Sequence, residues 1–198
     1  MKQDVGEGFV IAGGRGKRIG QPKAHLPFKD STLLQNAIAI LERSDLKVCV
    51  VASEPQGFED AGVPVLIDAF PDAGPLGALC TALKNAESSN CFVLACDMPL
   101  ITSDFFGLLQ DTAPDFDAII PFDGQGWPHL LAAYYSVQCL EPMEALLRQG
   151  RRKLREILRC DTLNILRMQA FERSLPDDLF LNVNTRDDYE RLLGGSES

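Results

Sequence analysis

The chain has 198 residues, of which 45% are hydrophobic, and this length and composition suit one domain with a sizeable core. Its formal net charge of −9 disfavours a polyanionic partner such as duplex nucleic acid and favours a small substrate. No apolar run approaches the roughly 20 residues that span a bilayer, and the acidic start MKQDVGEGFV does not have the pattern of a secretory signal. We therefore expect a single cytoplasmic domain over residues 1–198, with neither a nucleic-acid nor a membrane partner.

The first half of the chain alternates short apolar runs with stretches of helical periodicity. Ser31 and Thr32 are suitable N-caps for the first helix, whose apolar residues then recur on one face. This alternation predicts βαβ units on a parallel sheet. The predicted strands are residues 8–12, 46–52, 64–67 and 91–95, and the predicted helices are residues 32–42 and 76–86.

The pattern is looser after Asp97, but further elements are predicted from the same signals. The basic run GRRKLREILR, residues 150–159, indicates a helix, and the apolar run LFLNV, residues 179–183, indicates a last strand before a terminal helix that begins at Thr185. The other predicted elements are helices near residues 103–110 and 137–149 and strands near residues 117–121 and 130–135.

Six cysteines are scattered mostly inside apolar runs such as KVCVV, and no CxxC pair occurs. This usage predicts buried, reduced thiols rather than a metal or redox site.

The strongest local signal is VIAGGRGKRIGQPKAHLPF, in which an apolar strand leads directly into a loop rich in glycines and cations. Glycines let backbone amides approach phosphate oxygens closely, and cations neutralise the phosphate charge. The spacing is neither GxxxxGK[ST] nor a GxGxxG that opens a helix, so a Walker ATPase and a Rossmann dehydrogenase are disfavoured. The segment predicts a phosphate-binding loop made of Gly13, Gly14, Gly16 and Gly20 with Arg15, Lys17, Arg18 and Lys23.

A second signal is Asp97, which follows the predicted buried strand in FVLACDMPLI. Ligands of open α/β sheets bind at the carboxyl ends of the strands, and Mg²⁺ that bridges phosphate oxygens needs a carboxylate there. A lone aspartate after a strand is also a common turn or capping residue, and the sequence leaves both readings open.

Taken together, AGGRGKRIG with its following lysine, DAGPLGAL, CDMPL and the late NVNT resemble the molybdenum cofactor guanylyltransferases, in the right order over nearly the whole chain. The resemblance implies a three-layer α/β/α fold with a mostly parallel, Rossmann-like sheet of the nucleotide-diphospho-sugar transferase type. It also implies a nucleotide-binding half over residues 1–100 and an acceptor-binding half over residues 101–198.

The implied reaction joins GTP to molybdenum-bearing molybdopterin, giving a guanine dinucleotide cofactor and pyrophosphate. Such a transfer needs positioning and charge neutralisation more than a nucleophilic side chain. The resemblance implies that Arg15, Arg18 and Lys23 contact the triphosphate, with Arg18 and Lys23 catalytic, and that Asp97 is catalytic and carries Mg²⁺. Gly13, Gly14 and Gly16 would lend backbone amides.

Base and acceptor recognition are assigned to other segments by the same resemblance. It implies that Ala12, Asp68 and the DAGPLGAL turn lie near guanine, whose N1 and N2 donors suit a carboxylate. Asp68 is alternatively a plain turn residue, with Asp72 as its rival. Asn182 and Asn184 of NVNT either clamp the pterin or, with Thr185, cap the last helix.

Two further features have open roles. The cluster Arg151, Arg152, Lys153 and Arg155 either receives the pterin phosphate or forms a solvated helix face. His129 lies in a region that reaches toward the acceptor in the family, but a single histidine beside an apolar run is more typical of a hydrogen-bonded structural residue, and the same holds for His25.

Alternatives to the guanylyltransferase remain at this point. They are a cytidylyltransferase of the same branch that uses CTP, a sugar- or polyol-phosphate nucleotidyltransferase, and a non-catalytic nucleotide-binding adaptor. Transient contact with molybdenum-insertion proteins or molybdoenzymes is a further expectation from the resemblance.

Overall fold

The computed structural model describes residues 6–13, 22–169, 175–176 and 178–194. In these ranges a seven-stranded sheet has the order β5-β4-β1-β6-β8-β7-β9, and β2 pairs with β3 in a small separate hairpin. The strands are β1 (Glu7–Ile11), β2 (Pro27–Phe28), β3 (Ser31–Thr32), β4 (Lys47–Ala52), β5 (Val65–Ile67), β6 (Asn90–Ala95), β7 (Ala118–Phe122), β8 (Ala132–Ser136) and β9 (Ile165–Gln169).

The sheet is parallel except at β8, which runs antiparallel to both of its neighbours, β6 and β7. All the other pairs in the sheet are parallel. Because β6 and β7 both oppose β8, they run in the same direction, and the carboxyl ends of β1, β4, β5, β6, β7 and β9 share one edge of the sheet. This mostly parallel sheet confirms the predicted fold class.

Helices cover both faces of the sheet and make it the middle of three layers. Along β1, Val10 faces one hydrophobic core with α1 and α3, and Phe9 and Ile11 face the other with α2 and α4. Successive strand residues point to opposite faces, so a strand buried on both sides is apolar throughout. The helices are α1 (Leu33–Glu42), α2 (Pro75–Asn85), α3 (Ser103–Thr112), α4 (Leu140–Arg148) and α5 (Arg186–Gly194).

The helix starts follow the capping signals. Thr32 accepts a hydrogen bond from the amide of Gln35 at the start of α1, and Thr102 accepts one from Phe105 at the start of α3. The helix predicted over residues 137–149 is divided, because a 3₁₀ turn over Val137–Cys139 precedes α4.

The α-helix predicted within the basic run is wrong. Leu154–Arg159 is a 3₁₀ helix, in which Leu154 and Ile157 are the buried residues. Their spacing of three matches the three residues per turn of a 3₁₀ helix, so one edge of the segment reaches the core without an α-helical stripe.

The strand predicted at residues 179–183 is also wrong, and the edge strand β9 was not predicted. Leu179 and Phe180 are buried, but they lie in a turn, and the amide of Val183 donates to the carbonyl of Asp97 rather than to a neighbouring strand. The run is apolar because it fills the core. Among the described residues β9 pairs with β7 alone, and it exposes Arg167, so it lacks the continuous apolar signal of the central strands.

No helix in the described ranges has the length and apolar character needed to cross a membrane.

Candidate active site

A cavity of about 570 Å³ opens at the shared carboxyl edge of the sheet. Gly13 follows β1, Asp68 follows β5 and Asp97 follows β6, and all three line it together with Asn182 and Asn184 from the far end of the chain. Cavities at this edge are where open α/β sheets bind ligands. The structure therefore brings five of the candidate residues to one cavity at this edge.

The centre of the site is a three-residue cluster. The ammonium of Lys23 donates to Oδ2 of Asp97 at 2.8 Å and to Oδ1 of Asn184 at 2.7 Å. The side chains of Lys23 and Asp97 are only 16% and 17% exposed, so solvent screens this ion pair less than a surface pair. The sequence assigned the three side chains to phosphate, metal and acceptor separately, and the contact among them was not predicted.

Asp97 carries a second oxygen that points to a ligand. Its Oδ1 is buried and has no hydrogen-bond partner among the residues that the structure describes. A buried carboxylate oxygen is normally satisfied, and a divalent cation is a natural partner for it. The described part of the chain contains no group of three or more His, Cys, Asp or Glu that could hold a metal ion. Such a cation would therefore rely on Asp97 together with phosphate oxygens and water, which is how magnesium is commonly bound.

Hydrophobic packing brings the late NVNT segment to Lys23. Val183 and Leu192 share a small apolar cluster with Leu26 and Phe28, which follow the turn that carries Lys23. The hydroxyl of Tyr189 on α5 donates to the carbonyl of Pro27 at 2.6 Å. Residues from opposite ends of the chain are thereby held next to each other.

The N-terminus of α5 fixes the backbone that carries Asn184. Oδ2 of Asp188 accepts from the amides of Asn184 at 3.0 Å and Thr185 at 2.8 Å, and the Thr185 hydroxyl accepts from the amide of Asp188. This is a capping box with aspartate as the reciprocal residue. Hydrogen bonding to Thr185 lowers the pKa of Asp188, against the opposing effect of burial. The helix-capping reading of NVNT holds for Thr185. Asn184 contacts Lys23, and contact of Asn182 and Asn184 with the pterin stays a prediction. Asp188 itself was missed, although the T-x-x-D spacing signals it.

Asp68 has a turn role in the structure. Its Oδ1 accepts from the amide of Phe70 at 2.8 Å and from the hydroxyl of Thr81 at 3.0 Å, which ties the end of β5 to α2. Asp68 and its rival Asp72 both line the cavity. The turn role is therefore established, and contact with guanine stays a prediction.

The DAGPLGAL turn approaches the cavity closely because of its glycines. Gly74 has φ +60° and ψ −147°, a backbone conformation that favours glycine, and Pro75 then begins α2. A Cβ on Gly77 would lie 2.4 Å from the carbonyl oxygen of Phe70, so no larger residue fits without a shift. Gly74 and Pro75 line the cavity, and the N-terminal end of α2 contributes a positive dipole there.

The structure describes only part of the glycine-rich loop. Ala12 is buried, its amide donates to the carbonyl of Val51 at 2.9 Å, and Gly13 lines the cavity. The other predicted loop residues before Lys23 lie outside the described residues: Gly14, Arg15, Gly16, Lys17, Arg18 and Gly20.

The basic cluster is divided among different partners. Arg151 forms an ion pair with Glu156, and Arg152 donates to the carbonyl of Asp72 beside the cavity. Lys153 and Arg155 face a separate cleft. The single patch suggested by the sequence is thus not one site.

His129 has the structural role expected of it. Its ring stacks on Phe180 with centroids 4.2 Å apart, and Nε2 lies 3.1 Å from Oδ2 of Asp123. Burial lowers the pKa of His129, and the neighbouring Asp123 only partly offsets this effect. His25 packs against the ring of Phe58.

The cysteines do not take part in the site. They form no disulfide, and Cys80, Cys91, Cys96 and Cys139 are buried. Burial raises the pKa of both Cys80 and Cys139 to about 12, so these thiols stay protonated and unreactive at neutral pH.

A mostly parallel sheet with a lysine, a carboxylate and a glycine-rich turn at one cavity defines a nucleotide-dependent transferase. Residues 8–169 match the model of the MobA-like NTP transferase domain. Because the match covers most of the chain, the chain belongs to this family and is a nucleotidyltransferase.

Two named relatives align with nearly the whole chain. The chain is 32% identical over 189 residues to a "Probable molybdenum cofactor guanylyltransferase" of Methanothermobacter thermautotrophicus, covering 90% of this chain and 94% of the relative. It is 30% identical over 190 residues to the molybdenum cofactor guanylyltransferase of Syntrophotalea carbinolica, covering 94% and 90%.

A solved structure shows the same fold. The molybdopterin-guanine dinucleotide biosynthesis protein A of Archaeoglobus fulgidus superposes with a TM-score of 0.79 at 24% identity, over 97% of this chain and all of that one. At this identity the likeness concerns the fold alone.

Proposed function

We propose that the chain transfers GMP from GTP to the terminal phosphate of molybdenum-molybdopterin, giving the guanine dinucleotide cofactor and pyrophosphate. The names of the two relatives support this choice of reaction. The observation that carries it is the part-buried cluster of Lys23, Asp97 and Asn184, in which one buried oxygen of Asp97 lacks a hydrogen-bond partner among the described residues.

In this reaction an oxygen of the acceptor phosphate forms a bond to the α-phosphorus of GTP, and the bond between the α- and β-phosphates breaks. Pyrophosphate leaves with the electron pair of that bond. Negative charge accumulates on the phosphate oxygens during the transfer. The chain has to neutralise this charge and keep the two anions in line.

Lys23 supplies the cation for this task. Its ammonium has three donors, and Asp97 and Asn184 accept two of them. The third donor is available for an α-phosphate oxygen, and the two acceptors orient the ammonium before substrate binds. We assign Arg18, with Arg15, to the same phosphates, and the amides of Gly13, Gly14 and Gly16 to the triphosphate.

Asp97 is the proposed ligand of Mg²⁺. When bound, the ion would neutralise phosphate charge as a Lewis acid. Lys23 already occupies Oδ2 of Asp97, so Oδ1 is the oxygen left for the ion.

Nucleotide and acceptor recognition are proposed for different residues that line or flank the cavity. Asp68 accepts its hydrogen bonds from Phe70 and Thr81 at Oδ1, and we assign its Oδ2 to the guanine donors, with Asp72 as the alternative. Ala12, next to Gly13, is assigned to the nucleotide as well. Asn182 lines the cavity and suits the acceptor, and Arg152 beside Asp72 is the best-placed member of the basic cluster for an acceptor phosphate. In this proposal residues 1–100 form the nucleotide-binding half and residues 101–198 the acceptor-binding half.

We place the reaction in the cytoplasm, with transient transfer of the product to molybdenum-insertion proteins or molybdoenzymes. A cytidylyltransferase of the same branch would use the same phosphate chemistry with CTP. The relatives' names favour GTP.

The test is pyrophosphate release from GTP and, separately, from CTP with Mg²⁺, with and without molybdenum-loaded molybdopterin, followed by identification of the product. Acceptor-dependent release with GTP and formation of the guanine dinucleotide are expected. Release with CTP alone would assign the chain to the cytidylyl branch. Tight GTP binding without turnover would favour the nucleotide-binding adaptor.

A further inference from the structure

A second cleft, of about 470 Å³, lies beside β7 and β9, and four cationic side chains line it. We call it the basic cleft. It contains one acidic residue, Glu156, whose carboxylate already pairs with Arg151. Its basic residues are Lys153, Arg155, Arg159 and Arg167.

The charges of the basic cleft are exposed and largely uncompensated. Arg167 donates to the carbonyl of Leu158. None of the four cations of the basic cleft makes an ion pair with a carboxylate in the described ranges. The chain as a whole has a net charge of −9. Concentrating cations on one side of an acidic molecule creates a local potential that attracts anions and orients an approaching acidic partner.

An exposed tryptophan stands next to the basic cleft. Trp127 is 58% exposed, and its neighbours Gly126 and Pro128 line the cleft. The loop is ordered, because Oδ1 of Asp123 accepts from the amides of Gln125 and Trp127 at 2.9 Å each. An aromatic side chain on a fixed loop beside arginines is the composition typical of interface hot spots.

The basic cleft opens at the same edge of the sheet as the active-site cavity. β7 and β9 run parallel to β6, and three strand spacings separate β6 from β9. At the usual spacing between strands this corresponds to about 14 Å. A protein docked on the cleft would therefore stand beside the cavity that contains Asp97.

We propose that the basic cleft, with Trp127, docks an acidic segment of a partner protein. A single small anion fits it less well, because exposed cations on flexible side chains hold one charge weakly in solvent. An acidic segment engages several cations at once and covers the tryptophan. The docking surface is independent of the reaction, and only its purpose, delivery of product to a recipient, rests on the proposed function.

The chain offers its own reporter, since Trp127 is its single tryptophan. Titration with an oligoglutamate peptide is expected to change the fluorescence of Trp127 saturably, and an oligoglutamine peptide of the same length is expected to have no effect. Raising the salt from about 0.05 to 0.5 M should weaken peptide binding by roughly tenfold.

Arg159→Glu is the test variant and Arg43→Glu, an equal charge change at the end of α1, is its matched control. Arg159→Glu should weaken peptide binding by about tenfold, whereas Arg43→Glu should alter it by less than about twofold. Calorimetry of Trp127→Ala, which does not depend on fluorescence, should also show weaker binding.

Inorganic phosphate and pyrophosphate are the competing probes. Saturable binding of either one without binding of the peptide would overturn the proposal in favour of a small-anion site, and no response to any probe would also overturn it. Arg159→Glu should retain acceptor-dependent pyrophosphate release. Because peptide binding is measured without GTP or acceptor, failure of the proposed reaction would leave this test intact.

Discussion

Both the cluster of Lys23, Asp97 and Asn184 and the basic cleft contain charged side chains, but the charges of the cluster are shielded from solvent and those of the cleft are exposed. In the cluster, one lysine and one aspartate are each less than 20% exposed, and an asparagine and a helix cap hold them in place. In the cleft, four cations project into solvent with little support. Charge chemistry at low exposure needs few groups with fixed positions, whereas recognition at a surface needs several charges, because salt screens each of them.

The largest expected effect comes from removing the carboxylate of the cluster. Asp97→Ala should lower acceptor-dependent pyrophosphate release by about 10²–10³-fold, and Lys23→Ala should be of similar order, because each removes charge stabilisation in the transition state. Circular dichroism should show an intact fold. Asp97→Asn, which keeps the shape without the charge, is the matched control and should also be impaired. Activity within a few-fold of the parent would remove Asp97 from the mechanism.

Gly77→Ala tests whether the first turn of α2, beside the cavity, needs glycine. The added Cβ would meet Phe70 and Ala73, at 2.8 Å from Phe70 Cβ and 2.9 Å from Ala73 Cβ, in addition to the clash with the Phe70 carbonyl. Overpacking of this kind should lower the free energy of unfolding by about 1–3 kcal/mol, measured by urea denaturation. Gly107→Ala on α3 meets open space and should be neutral or stabilising. Equal effects of the two substitutions would refute the steric explanation.

Asp188→Ala tests whether the helix cap that holds the backbone of Asn184 matters for turnover or only for stability. Loss of the capping box should cost about 1 kcal/mol of stability. It should also lower the turnover number by a few-fold, since Asn184 would hold Lys23 less firmly. Asp187→Ala on the same helical turn is the matched control and should change neither quantity. An unchanged turnover number in Asp188→Ala, despite lower stability, would confine the cap to a structural role.

The smallest expected effect is on the pH dependence of the free energy of unfolding, and it comes from His129. Because burial lowers the pKa of His129 below the ordinary value of 6.5, the unfolded chain binds a proton more readily than the folded one below that pH. The free energy of unfolding should therefore fall as the pH drops from about 6.5 through the lowered pKa. Denaturation of His129→Gln should show a flatter dependence over this window. In Asp123→Asn, NMR titration should show the pKa of His129 lowered further.

Several parts of the fold and the site were predictable because their signals are local. Strands such as β1 and β6 are buried on both faces, so their sequences are mostly apolar, and Asp97 lies two residues after the end of β6. Parallel strands bring their carboxyl ends to one edge, which predicts the cavity without knowledge of side-chain contacts. The capping threonines of α1 and α3 mark their own helices.

Features that depend on packing between distant segments were not predictable. Lys23 and Asn184 are 161 positions apart, and their contact exists because an apolar cluster and Tyr189 bring the two segments together. The run at residues 179–183 has an apolar sequence like that of a strand because Leu179, Phe180 and Val183 are buried, although the run pairs with no strand in the described residues.

The sequence by itself determined the fold class and the edge of the sheet where Asp97 stands, because these follow from periodicity and from the direction of parallel strands. Only the tertiary structure decided which partner each side chain has: Asn184 for Lys23, a turn for Asp68, and different neighbours for the members of one basic run. Side-chain partners depend on distances between remote segments, and those distances are set by the packed core.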